Sequence, residues 1–168
     1  MDERLRRIID ALEDADRQVV TALNSRAKAI HEYNALRAEA GDEPLRLPKK
    51  TAVIDNARRS ATEFPEESIE PVFREILSAC TELITPDVVA YFGAPGDLAH
   101  AAARDYFGHA PSFRPSESVS GVLEAVHHGH ATFGVVPLET STDGAITATL
   151  NGLLSSDAKV CAERVVPL

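Results

Sequence analysis

The residues best suited to chemistry in the first half of the chain are basic side chains on a helical pattern. Arg26 follows Val19 by one heptad and therefore shares the apolar stripe of that pattern. A guanidinium group on such a stripe is costly to bury without an anionic partner, and its planar fork binds carboxylates through two parallel hydrogen bonds. Arg26 is thus predicted to bind a carboxylate, with a solvated position on the helix surface as the alternative.

The other reactive side chains give no sign of a metal, redox or disulfide site. Cys80 and Cys161 lie far apart, with no CxxC or Cys/His spacing. His127, His128 and His130 lie at the end of a predicted helix, beside Gly129, a typical helix stop, and no acidic or cysteine ligand stands at a suitable spacing. We therefore expect solvent-exposed histidines, no metal and no cofactor, in a reducing cytoplasm.

The charge balance argues against some classes of partner. The 168 residues include 26 acidic and 17 basic side chains, for a net charge of −9, which repels nucleic acid and anionic membrane surfaces. The charged opening segment MDERLRRIID has no apolar signal region, and no later stretch reaches the roughly 18 apolar residues of a spanning helix. We expect no nucleic-acid and no membrane partner, and any anionic ligand must find a local basic pocket.

Apolar residues in the first half recur at the spacing of amphipathic helices. The pattern from Leu5 to Arg37 predicts a single helix of about 33 residues and about 50 Å. A helix of this length needs a partner along its whole length, supplied by later helices or by a second chain in an antiparallel dimer. Shorter helices are predicted over about 49–61 and 65–84.

After Pro86 the sequence pattern changes. The short apolar segments VVAYF, SFR, TFGVVPLE and AKVCAERVVPL predict strands, and GDLAHAAARDYF, ESVSGVLEAVHH and GAITATLNGLL predict helices between them. Strands alternating with helices of this length indicate βαβ units and a mainly parallel sheet. The sequence therefore predicts two domains, 1–84 and 85–168.

Taken together, the two halves resemble a bifunctional chorismate mutase/prephenate dehydratase. LRRIIDALEDADRQVVTALNSRAKAI resembles the long first helix of the all-helical chorismate mutases. VVAYFGAPGDLAHAAARDYFG and GVLEAVHHGHATFGVVPLETSTDGAI resemble the opening segment and the second signature of prephenate dehydratases. The resemblance covers the whole chain and implies an α plus α/β fold. A three-helix all-α mutase domain, which pairs as an intertwined homodimer, precedes a partial periplasmic-binding-protein-like α/β lobe.

The resemblance implies cationic candidates on the first helix. Arg26 matches the family's arginine in the middle of that helix, and Arg37 stands where the family has a lysine near its end. Arg6 is the best match for an early arginine of the family that reaches the partner chain's site. The segment between Arg6 and Arg26 is three residues longer here than in the family. Arg26 and Arg37 are therefore candidate catalytic residues, and Arg6 is a candidate substrate ligand.

The later helices depart from the family pattern. An aspartate and an adjacent arginine and glutamate of the family correspond to Leu47, Lys50 and Thr51. Ile84 stands where the family has a glutamine that donates to the ether oxygen of the substrate, and isoleucine cannot donate a hydrogen bond. Lys50 is a candidate catalytic cation, and Thr51 and Ile84 occupy candidate substrate-binding positions. Glu82 would replace the glutamine only in a different helix register.

The α/β half also differs from its family. Thr140, Ser141 and Thr142 replace an Asn-Ser-Thr segment and are candidate substrate ligands. The alternative is that Ser141 and Thr142 cap the helix predicted to begin near Ala145. Asp97 replaces a hydroxyl of the glycine loop, so that an anion would meet a carboxylate there. The family's later Thr-Arg-Phe motif has no counterpart up to Leu168, so we expect no dehydratase activity from this chain alone.

Three functions follow from the resemblance. The first is an isomerase that converts chorismate, or an analogue, to prephenate in phenylalanine biosynthesis or a related specialised pathway. The second is a non-catalytic homologue that binds aromatic-pathway ligands or a partner subunit. The third is a prephenate-processing enzyme, either a dehydratase or a non-aromatising decarboxylase. All three imply a small dicarboxylate ligand.

Overall fold

The computed structural model describes residues 2–41, 50–142 and 144–167, and the chain divides into two compact units, Met1–Leu47 and Pro48–Leu168. The first unit therefore ends well before residue 84, and its described residues form one helix. The domain boundary predicted near residue 84 stays a prediction, because a division into compact units does not test where one family domain ends and the next begins.

Helix α1 spans Glu3–Glu39, a length of 37 residues, which confirms the predicted long helix. Its start is capped by Asp2, whose side chain accepts a hydrogen bond from the Arg4 backbone N–H at 3.1 Å. It ends before Gly41, which has a φ of +72° and thus a backbone conformation that favours glycine. Local capping signals therefore account for both ends of α1.

The second unit begins with two helices, α2 at Lys50–Ser60 and α3 at Glu66–Glu82, close to the predicted ranges. An ion pair between Arg58 and Glu70 joins them, with the guanidinium and carboxylate 2.8 Å apart. The side of α3 that carries Ile69, Leu77 and Cys80 is buried, as is usual for the apolar face of an amphipathic helix.

A three-stranded parallel sheet follows in the order β2-β1-β3. Its strands are β1 (Val88–Phe92), β2 (Ser112–Ser116) and β3 (Phe133–Val135), connected by helices α4 (Leu98–Phe107) and α5 (Val119–His127). One face of β1 packs with α4 through Val89, Ala103 and Phe107, whereas the other face packs with α5 through Ala90 and Val122. Burial on both faces explains the unbroken apolar sequence of this central strand.

The end of the chain differs from the sequence prediction. A short antiparallel ribbon, formed by β4 (Glu139–Thr140) and β5 (Gly144–Ala145), precedes helix α6 (Thr147–Leu154), which therefore begins later than predicted. The final strand predicted for AKVCAERVVPL is wrong, since residues 158–167 pair with no strand of the described chain. Val160 and Val165 are 73% and 87% exposed, so the apolar pattern of this segment is not buried against the sheet. Among the described residues, no helix is both long and apolar enough to cross a membrane.

Candidate functional site

The three candidate arginines of α1 lie on two different sides of the helix. Arg26 and Arg37 are separated by eleven residues, which places them about 16 Å apart along the axis and within about 20° around it. Arg6, twenty residues before Arg26, lies about 160° away around the axis and is exposed. Helical geometry thus brings Arg26 and Arg37 onto one face of a single chain, and it leaves Arg6 on another.

Arg26 and Arg37 are both half-buried. The Nε atom of Arg26 is enclosed, and no hydrogen-bond partner for it is found in the part of the chain that the structure describes. A guanidinium keeps its charge at all physiological pH values, so an enclosed N–H without an acceptor is costly and favours an anionic ligand.

Lys50 occupies the first turn of α2 and contacts the end of α4. Its ammonium donates a hydrogen bond to the backbone carbonyl of Tyr106 at 3.0 Å. The same nitrogen lies 4.8 Å from the ring centroid of Tyr106 and 5.4 Å from that of Phe107. The sequence did not predict these contacts of Lys50. Every residue has a backbone carbonyl, so no residue type in the sequence marks the one that Lys50 binds.

Charged groups around Lys50 form a partly buried cluster. Burial lowers the pKa of the Lys50 ammonium below 10.5; the negative charge of Asp87 opposes this shift, and the positive charges of Arg164 and Arg74 add to it. Burial also raises the pKa of the Asp87 carboxyl, and a hydrogen bond with Thr132 and, to a smaller extent, the positive charge of Lys50 offset this only in part. The surroundings thus disfavour both charges, although each still attracts the other.

The remaining mutase candidates of the second unit are spread over two helix ends. Thr51 is exposed on α2, beside Lys50, and Ile84 is half-buried just after α3. Glu82 does not replace the missing glutamine within this unit, since its Oε1 accepts the backbone N–H of Asp87 at 3.0 Å. Leu47 lies outside the described residues.

The glycine loop between β1 and α4 carries its own carboxylate. Oδ2 of Asp97 accepts the backbone N–H of Ala94 at 2.7 Å, and a Cβ added to Gly93 would lie only 2.6 Å from that oxygen. An incoming anion would therefore meet the carboxylate that the sequence predicts at this loop. His100 stacks on Tyr91, with ring centroids 4.7 Å apart, and its Nδ1 accepts the Gly96 N–H at 2.9 Å.

Thr140 ends strand β4, and Ser141 and Thr142 follow it in the turn of the β4–β5 ribbon rather than capping a helix. The hydroxyl oxygens of Thr140 and Thr142 are 3.2 Å apart. The helix-cap interpretation is wrong because α6 begins only at Thr147, after Gly144 has turned the chain back with a φ of +68°. The hydroxyls are therefore presented on a ribbon.

The histidines near the end of α5 are exposed, as predicted. His127 is the last residue of the helix, and Gly129 follows with a φ of +70°. The rings of His128 and His130 stack with centroids 5.9 Å apart. Residues 2–41, 50–142 and 144–167 contain no group of three or more histidine, cysteine or acidic side chains placed to hold a metal.

Comparison with known proteins assigns each half to a family. A chorismate mutase type II model matches residues 5–84, and a prephenate dehydratase model matches residues 89–168. No solved structure matches the chain significantly.

Several curated relatives match nearly the whole chain. Bifunctional chorismate mutase/prephenate dehydratases from Aquifex aeolicus, Stutzerimonas stutzeri and Pseudomonas aeruginosa are 30%, 29% and 32% identical over 99%, 96% and 95% of this chain. The matched regions make up 47%, 46% and 44% of those proteins, so the chain spans about half the length of the curated relatives it matches. Residues 5–84 of this chain belong to the chorismate mutase type II family, and residues 89–168 belong to the prephenate dehydratase family.

Proposed function

We propose that this chain is a chorismate mutase, an isomerase that converts chorismate or a close analogue to prephenate through its helical half. The observation that carries the proposal is the enclosed Nε of Arg26, which has no hydrogen-bond partner among the described residues, on the long helix of a domain from the chorismate mutase type II family. The bifunctional relatives support phenylalanine biosynthesis, or a related specialised pathway, as its setting. We also propose a cytoplasmic location.

The proposed reaction requires positioning and charge stabilisation rather than a nucleophile. Chorismate carries two carboxylates and rearranges while negative charge grows on its ether oxygen, so cations that hold the carboxylates also fix the reactive conformation. Arg26 and Arg37 lie about 16 Å apart along one face of α1, measured between backbone positions, and each carries a long, flexible side chain that can reach along that face toward the other. We therefore propose that Arg26 binds one carboxylate of the substrate and that Arg37 binds toward the other end of the same site.

A homodimer is the second part of the proposal. The face of α1 that carries Arg26 also presents a stripe of exposed apolar side chains. Its members are between 37% and 63% exposed: Leu5, Ile8, Ile9, Leu12, Val19 and Leu23. A helix of 37 residues gains most of its stability from packing this face, and a second copy of α1, running antiparallel, would cover the stripe along its length.

Substitution within the stripe tests the dimer. Leu12→Asp would place a charge in the proposed interface, and we expect the mass measured by light scattering to fall from twice the chain mass to the chain mass. Gln18→Asp introduces the same charge about 120° around the helix from Leu12 and is expected to leave the mass unchanged. A monomeric wild-type protein would contradict the proposal.

A chorismate assay on three proteins tests the activity. We expect the wild-type chain to consume chorismate and to form a product of the same mass, and Arg26→Ala to lose roughly 100-fold or more in kcat/KM, the scale of one lost transition-state contact. Arg17→Ala is the matched control, since Arg17 lies on the same helix and its ion pairs with Glu13 and Asp14 are exposed. Equal activity of wild type and Arg26→Ala would refute the role of Arg26.

Ile84 favours a second candidate function, a non-catalytic homologue that binds an aromatic-pathway dicarboxylate. Its side chain is half-buried and offers no donor to an ether oxygen. Loss of one such donor commonly costs about 3 to 4 kcal/mol of transition-state stabilisation. Isothermal titration with chorismate and prephenate separates the two functions, because heat of binding without turnover supports the binding protein and turnover supports the enzyme.

A further inference from the structure

Polar contacts join the two family segments within the second unit. They connect α2 and α3, from the mutase segment, to the end of α4 and the three residues after it, from the dehydratase segment. We call these contacts the seam; its members are Lys50, Arg74, Glu75 and Ser78 on one side and Asp105, Tyr106, His109 and Ala110 on the other.

The seam has several well-formed hydrogen bonds. Arg74 donates to the backbone carbonyl of Asp105 at 3.0 Å and also pairs with its carboxylate. The Glu75 carboxylate accepts the backbone N–H of His109 at 3.1 Å and contacts its ring nitrogen at 2.9 Å. The Ser78 hydroxyl accepts the backbone N–H of Ala110 at 3.2 Å. Backbone groups take part in three of these contacts, so the seam fixes the path of the main chain.

Gly108 allows the two backbones to approach. Its φ is +77°, and a Cβ at this position would lie 2.5 Å from the Cβ of Ser78. Ser78 is itself almost fully buried, at 2% exposure. The two segments therefore meet in direct contact without intervening space.

Lys50 is the cation that ties α2 to this seam. The Tyr106 carbonyl is among the last of α4, where an ammonium group satisfies an unpaired acceptor and complements the negative end of the helix dipole. The rings of Tyr106 and Phe107 add cation–π attraction to the same nitrogen. These contacts occupy the Lys50 ammonium within the protein, which leaves it poorly placed to bind a substrate carboxylate.

We propose that Lys50 is a positioning residue, and that through the seam the α/β half acts as the scaffold that holds α2 and α3 of the mutase half in place. Thr51 follows Lys50 directly on α2, and Ile84 follows α3, so both candidate substrate positions depend on the orientation of these helices. The functional consequence rests on the proposed mutase activity. The mechanical coupling of the two segments does not.

Hydrogen exchange measured by mass spectrometry on the full chain tests the coupling without reference to activity. In Lys50→Met we expect exchange to accelerate about 10-fold or more both in α2 and at the end of α4, the scale of a lost hydrogen bond to a charged group. Lys50→Arg keeps a charged donor and is expected to restore most of the protection. Arg59→Met is the matched control, because Arg59 lies on the same helix and bonds only to Asn56 in the described chain.

A milder variant keeps the test decisive if Lys50→Met fails to fold. His109→Ala removes the contact between the half-exposed ring of His109 and Glu75, and exchange is expected to rise in α3 as well as around residue 109. Exchange that changes only next to the substituted residue, in either variant, overturns the proposal.

Mutase kinetics separate a positioning role from a direct one. If Lys50 positions α2, the loss of kcat/KM in Lys50→Met accompanies faster exchange and is largely restored in Lys50→Arg. If Lys50→Met raises KM while exchange in α2 and α4 matches wild type, Lys50 binds substrate directly and the proposal is overturned. A wild-type chain without turnover would refute the mutase activity alone, since the exchange experiment still decides whether the seam couples the two halves.

Discussion

Replacing Gly108 by alanine should destabilise the protein more than replacing any glycine that merely turns the chain. Gly108 follows α4 with φ +77° and ψ −159°, a region of backbone space that is essentially reserved for glycine. It also lies against α3, where the Ser78 hydroxyl accepts the Ala110 N–H. The substitution therefore strains the backbone and pushes on a buried neighbour at the same time.

The expected magnitude is the sum of these two effects. Forcing alanine into this conformation costs about 1 to 3 kcal/mol. The new Cβ would lie 2.5 Å from the Ser78 Cβ and 2.6 Å from its Oγ, and relieving such overpacking typically costs a further 1 to 3 kcal/mol. Ser78 cannot rotate away without losing its bond to Ala110, so we expect the free energy of unfolding to fall by about 2 to 6 kcal/mol.

Urea denaturation of Gly108→Ala and Gly129→Ala measures this difference. Gly129 is the matched control, because its φ of +70° is also positive but a Cβ there would meet no atom within 4 Å. Strain alone predicts a loss of about 1 to 2 kcal/mol for Gly129→Ala. Equal losses in the two variants would refute the reasoning, since they would show that the contact with Ser78 adds nothing.

Two further predictions concern the second unit. Burial raises the pKa of Glu75, but hydrogen bonds and charge from His109, helped by the nearby Arg74, outweigh burial and hold the pKa below 4.5. The ionised Glu75 carboxylate therefore stabilises the fold above pH 4.5, and this stabilisation is lost as the pH falls below that value. We expect Glu75→Gln to lose less stability than wild type between pH 5 and pH 3, as measured by urea titrations. The fully buried Thr149 donates to the Pro137 carbonyl at 2.6 Å, and Thr149→Val should lower the free energy of unfolding by about 1 to 3 kcal/mol because that carbonyl would lose its donor; an unchanged urea midpoint would contradict this.

Local sequence patterns predicted most elements of the fold. The helical spacing of apolar residues was enough to predict α1, α2 and α3, and alternating strand and helix segments predicted the parallel sheet. Such patterns work because each element must bury one face, and its period follows from backbone geometry alone. The same spacing placed Arg26 and Arg37 on one face of α1.

The sequence was less informative where long-range contacts decide the outcome. The apolar residues of AKVCAERVVPL predicted a strand. A strand forms only if it can pair with the edge of a sheet, and this segment pairs with no strand among the described residues. Likewise, the turn at Gly144 displaced the start of α6, so that Thr140, Ser141 and Thr142 lie on a ribbon.

By itself, then, the sequence determined the helical and strand periods, the acidic character of the chain and the family of each half. Only the tertiary structure decided the role of Lys50. In the sequence it is a cation at a candidate catalytic position, whereas in the folded chain it binds the carbonyl of Tyr106, fifty-six residues away. Hydrogen bonds to backbone carbonyls depend on where the chain passes and not on which side chain it carries, so they leave no trace in the sequence.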